Sequence, residues 1–102
     1  MPVLALFTSP AITKEMYESL RTEIGWEANP PPGLVLHAAA LDQAGHLNVA
    51  DVWETAELLK IFVDSRLLPA MHKLQFPTPS VNVCPTFNVN AFSAVQQFLI
   101  GR

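Results

Sequence analysis

Thr13 and Thr55 divide this chain. Each stands between a short apolar run and an amphipathic segment, where its hydroxyl can accept an orphaned backbone N–H and start a helix. Before Thr13 lies Pro2 to Phe7, PVLALF, which reads as a buried strand ended by Thr8, Ser9 and Pro10. After it, Met16, Leu20 and Ile24 recur every four residues and make one apolar stripe, with Glu15, Glu18, Arg21 and Glu23 largely off it. Ile12 before the cap and Tyr17 in the first turn are placed to form a hydrophobic staple. Gly25 is placed to stop the helix.

Trp26 to Pro32 is a loop stiffened by Pro30, Pro31 and Pro32. Gly33 to Leu41 and His46 to Glu54 read as two strands joined by a turn over Asp42 to Gly45, hence a hairpin. In the second of them Leu47, Val49, Asp51 and Trp53 share one face, and Asn48, Ala50, Val52 and Glu54 the other. Thr55 then opens a helix over about Ala56 to Leu68, with Leu58, Leu59, Phe62 and Val63 as its apolar face; Pro69 is expected to break or kink it, with a further turn to about Leu74. Ser80 to Val89 alternates and reads as a fourth strand, Pro85 marking an edge or a bulge.

The order β-α-β-β-α-β predicts an α+β, ferredoxin-like fold: a four-stranded antiparallel sheet with two helices on one face. Residues 1–90 would form this domain. Residues 91–102 would be a C-terminal tail, with Phe92, Val95, Phe98 and Leu99 spaced as a short helix that packs on the domain or on a partner copy.

Half of the 102 residues are apolar and only 15% are charged. With both helices on one face, the other sheet face is left bare, and its strands lack the polar alternation of a solvated sheet. A homodimer through that sheet face is therefore expected. The net charge of −3 and the lack of any basic run exclude a nucleic-acid footprint. No apolar run is long enough for a membrane span, and Met1 to Ser9 lacks the features of a signal peptide. Cys84 is the one cysteine, so no internal disulfide forms, and a cytoplasmic location is expected. His37, His46 and His72 have no metal-ligand spacing, and the four glycines form no phosphate loop, so neither a metal nor another cofactor is expected.

Three residues stand out as a candidate catalytic group. His37 interrupts an apolar strand, and across the hairpin it can approach Asp51, which would fix its tautomer. Trp53, on the Asp51 face, offers a π-surface for a flat ligand, or simply fills the core. Arg66 could clamp a carboxylate or phenolate, or serve as a solvated charge. Asn48 falls on the face opposite Trp53. Cys84 reads as an inert small hydrophobe.

The stretch Gly33 to Ala70 resembles the dimeric α/β-barrel superfamily, and within it the antibiotic-biosynthesis-monooxygenase-like (ABM-like) proteins. The resemblance is carried by Asp51-x-Trp53-Glu54-Thr55 and by a helix with Phe62 and Arg66-Leu67-x-Pro69-Ala70. It implies a dimeric α/β barrel and a pocket between sheet and helices, lined by a Trp at the position of Trp53. It also implies activities of two kinds, cofactor-free oxygenation of aromatic polyketides or quinols and haem degradation. By type, Asn48 and Arg66 correspond to polar groups of the oxygenases, and His72 to a helix histidine of the haem-degrading members. Trp53, Phe62, Arg66 and His72 are then expected around a small aromatic ligand. The alternative is a non-catalytic dimeric domain that binds a small molecule or serves a structural role.

Overall fold

The computed structural model describes residues 1–100. Strands β1 (Val3–Ser9), β2 (Leu34–Leu41), β3 (Leu47–Trp53) and β4 (Ser80–Pro85) form one antiparallel sheet in the order β2-β3-β1-β4. Helix α1 (Lys14–Ile24) joins β1 to β2. A second helical run joins β3 to β4, in the parts α2 (Ala56–Phe62), a π-helical turn (Val63–Leu67) and α3 (Leu68–Leu74). This is the α+β, ferredoxin-like arrangement that the element order predicts.

Both caps form as the sequence indicates. Thr13 Oγ1 accepts from the Met16 N–H at 3.1 Å and Thr55 Oγ1 from the Leu58 N–H at 3.1 Å. Gly25 closes α1 in the left-handed region, its N–H donating to the Arg21 carbonyl. In the hairpin turn, Asp42 accepts from the Ala44 and His46 N–H groups and from the Asn48 amide. These bonds, the His46 N–H first, hold the Asp42 carboxyl below its usual range. The turn sets the register that puts His37 opposite Asp51.

The core lies between the helices and the inward faces of β1 and β3. Val3, Ala5 and Phe7 meet Leu20, Leu59, Phe62 and Met71 there, and Trp53, Ile12 and Met71 are the largest fully buried side chains. At the start of β2, Leu34 and Leu36 pair with the consecutive residues Trp53 and Val52, so Val35 is bulged. Leu34 and His37 therefore both face the helices although they are three residues apart.

The second helix runs on past Pro69 to Leu74, where a further turn is expected from the sequence. The π-helical turn widens it, with the Leu68 N–H reaching the Val63 carbonyl, and the wider turn accommodates a proline that lacks an N–H and crowds the preceding turn. Strand β4 ends at Pro85 rather than Val89, because its partner runs out: Val3 pairs with Pro85, and the Thr86 N–H takes the Pro2 carbonyl. Past that point Phe87 is 98% exposed. The tail forms a short 3₁₀ turn over Ser93–Gln97, with Phe92 and Phe98 exposed on either side of it. Residues 101 and 102, the end of the expected tail helix, lie outside the described residues.

Candidate active site

Helix α1, the β2–β3 hairpin and the loop after α1 meet over a largely apolar cavity of about 60 Å³. Their polar side chains form one continuous chain. Asp51 is buried on β3 and accepts from both of its neighbours: the Trp53 indole N–H at 3.1 Å through Oδ2, and His37 Nδ1 at 2.6 Å through Oδ1. A carboxylate can only accept, so the bond to Asp51 assigns a proton to Nδ1, and in the neutral imidazole Nε2 then carries the lone pair. The Tyr17 hydroxyl, on α1, lies 2.7 Å from that Nε2 and donates to it.

Tyr17 supplies the last polar group in the chain. Burial pushes its hydroxyl up to about 12, with Glu27, Glu18 and Asp51 adding in the same direction and Arg21 opposing them. It is therefore a neutral O–H at ordinary pH. Its ring lies nearly parallel to the His37 ring, and the Trp26 indole sits 5.0 Å from His37 and 5.8 Å from Tyr17, centroid to centroid. Among the described residues no buried side-chain polar atom lacks a partner.

His37, Asp51, Trp53 and Phe62 all line the cavity. Trp53 is 0% exposed, with its ring 5.2 Å from Phe62 and its N–H on Asp51, so it forms a wall and holds the carboxylate. Arg66 lies outside the cavity. Its Nη2 donates to the Ile24 carbonyl at 3.0 Å and the Asn29 carbonyl at 2.8 Å, and its guanidinium lies 5.8 Å from the Phe62 ring centre. His72 is exposed in the last turn of α3, away from the cavity. Asn48 donates to Asp42 and the His46 carbonyl at the hairpin turn. Cys84 pairs with Leu4 on the far face of the sheet.

Tyr17 and Trp26 belong to the site but were not among the residues expected there. In the sequence Tyr17 reads as half of a staple and Trp26 as a loop residue. The stop signal at Gly25, which turns the chain back over the sheet, is the one local feature that points to Trp26. No group of three His, Cys, Asp or Glu residues fit to hold a metal ion occurs among the described residues.

No protein-family model matches the sequence, and no curated protein matches it. Solved structures do. One from Mycobacterium tuberculosis superposes with a TM-score of 0.67 at 13% identity, over 89% of this chain and 100% of that one. A candidate antibiotic biosynthesis monooxygenase from Chloroflexus aurantiacus gives 0.64 at 12% identity, over 89% and 98%. The chain has the ABM-like fold. SnoaB, a cofactor-independent oxygenase from Streptomyces nogalater with the ABM-like fold, superposes at 0.60 with 15% identity, over 86% of this chain and 93% of that one. No described helix is long and apolar enough to cross a membrane.

Proposed function

We propose that this protein is a cofactor-independent monooxygenase of the ABM-like kind, acting as a cytoplasmic homodimer on a flat, oxidisable phenol or quinol. The observation that carries the reading is the chain Asp51–His37–Tyr17, which ends in an apolar cavity. A substrate hydroxyl bonded to Tyr17 Oη would pass its proton through that hydroxyl to His37 Nε2. Asp51 would stabilise the imidazolium so formed. The remaining anion is electron-rich and reduces dioxygen directly. One oxygen atom enters the ring, and the other leaves as water with two hydrogens of the substrate. Likeness in fold to a cofactor-independent oxygenase supports this scheme.

The proposed dimer places the uncovered sheet faces against each other. Leu6, Leu36, Ala38 and Ala50 lie on that face, and Leu6 and Leu36 remain 37% and 38% exposed.

A second reading is favoured by a specific observation. Both ring nitrogens of His37 already have partners, so the polar chain is complete with no ligand bound. That suits a non-catalytic binding or structural domain. Oxygen uptake with a hydroxyanthrone separates the two. The enzyme reading expects acceleration by the wild-type protein and a loss of roughly 100-fold in His37→Ala. No acceleration, or an unchanged rate in His37→Ala, rejects it.

A further inference from the structure

The cavity is far too small for the ring it is proposed to receive: about 60 Å³ is space for a few water molecules. Something in its wall must move. Most of the wall is sheet and helix core, with Trp53 at 0% exposed and Met71 at 1%. Two half-buried loop residues are the exceptions, Pro79 and Trp26, and of the two only Trp26 carries a ring that covers the polar chain, at His37 and Tyr17. The loop begins at Gly25, whose φ of 70° gives a pivot that side-chain-bearing residues rarely supply. It closes on itself through the Asn29 N–H to the Gly25 carbonyl at 2.9 Å.

Two arginines hold this loop down. Arg21 Nε pairs with Glu27 at 2.7 Å on the exposed side. Arg66 reaches across from the π-helical turn and donates from one nitrogen to a carbonyl on each side of Trp26, those of Ile24 and Asn29. Arg66 does not line the cavity, although its guanidinium lies over the outer side of Phe62, which does. Its two bonds tie the two ends of the loop to the same helix that supplies Phe62 and Leu67 to the cavity wall.

We propose that Gly25 to Asn29 is a lid over the His37 site, that Trp26 occupies the place of a ligand ring while the lid is closed, and that Arg66 is the latch. Arg66 is thus a positioning residue. The inference rests on the reading of the cavity as a ligand site, but its test needs no turnover. An equilibrium that is mostly closed weakens apparent affinity in proportion to the open fraction, so loosening the latch strengthens binding.

The experiment measures 2-naphthol binding and acrylamide quenching of tryptophan fluorescence in the wild-type protein, Arg66→Met, Trp26→Ala and the double variant. Trp53 is fully buried, so quenching reports Trp26. Arg66→Met is expected to quench more readily and to bind 2-naphthol roughly three- to tenfold more tightly. Trp26→Ala is expected to bind more tightly by itself, with no further gain in the double variant, because the ring that the latch holds is gone. Arg66→Lys, which keeps the charge but makes fewer bonds, should fall between wild type and Arg66→Met, and it stands in if Arg66→Met does not fold. Unchanged quenching and binding, or an equal gain from Arg66→Met in both backgrounds, overturns the latch. Failure of 2-naphthol to bind even Trp26→Ala would overturn the ligand-site reading, while the quenching comparison would still decide the latch.

Discussion

Tyr17 Oη and His37 Nε2 meet at 2.7 Å across twenty residues of sequence, with their rings within 5° of parallel. This bond docks a helix onto a hairpin through polar atoms at the edge of an apolar core. It also completes a chain whose direction is set at the other end, where Asp51 can only accept.

The burial of Tyr17 makes stability fall in strong alkali. Its hydroxyl is raised from 10.0 to about 12 in the fold, so the folded state holds that proton more tightly than the unfolded chain does. The stabilisation is complete below pH 10 and is lost as pH rises from 10 through 12. Because Tyr17 is only partly buried, the loss is about 1–2 kcal/mol rather than the full linkage value. Urea midpoints across this range should fall less in Tyr17→Phe than in wild type, and parallel curves would refute the prediction.

Asp51 serves two donors, so its removal costs more than one bond. Asp51→Ala leaves the Trp53 indole N–H and His37 Nδ1 facing an empty acceptor position, with an expected loss of about 2–4 kcal/mol. Asp51→Asn retains one acceptor oxygen and should lose less. Equal urea stability for Asp51→Ala and wild type would contradict the network.

Gly33 is required twice over. Its φ is +90°, and a Cβ there would sit 2.6 Å from Leu58 Cδ1. Gly33→Ala should destabilise by about 1–3 kcal/mol through backbone strain and displacement of Leu58. Thermal unfolding of Gly33→Ala beside Gly45→Ala gives a control, because a Cβ at Gly45 meets nothing within 4 Å and only the positive φ is penalised.

The proposed dimer makes the uncovered sheet face sensitive to charge. Leu36→Lys places an ammonium on that face, on the edge strand β2 opposite Val52 on β3. Sedimentation should show a dimer for wild type and a monomer for Leu36→Lys, with the circular dichroism unchanged. A wild-type monomer at micromolar concentration would reject the interface.

Much of this molecule is determined locally. Thr13, Thr55 and Gly25 act on backbone groups within a few residues of themselves, so helix starts and a helix stop follow from the sequence alone. Alternation in β3 sorts Asp51 and Trp53 onto the core face by the same short-range logic, and the Asp42 turn carries His37 to Asp51. What depends on packing could not be read this way. The strand β4 ends where β1 runs out, at Pro85, which marks an edge or a bulge in the sequence but does not by itself say that the pairing stops there. Pro69 marks an irregularity in the second helix with a further turn beyond it, but does not say that the irregularity takes the form of a π-helical turn. Tyr17 joins His37 only because α1 lies across that part of the sheet. Arg66 spends its charge on two distant carbonyls, 42 and 37 residues away in the chain, rather than in the cavity. Local rules of capping and pleating fix the elements, since their hydrogen bonds close over three or four residues. The site is assembled from elements whose contacts span the whole chain, and only their packing decides which side chains meet.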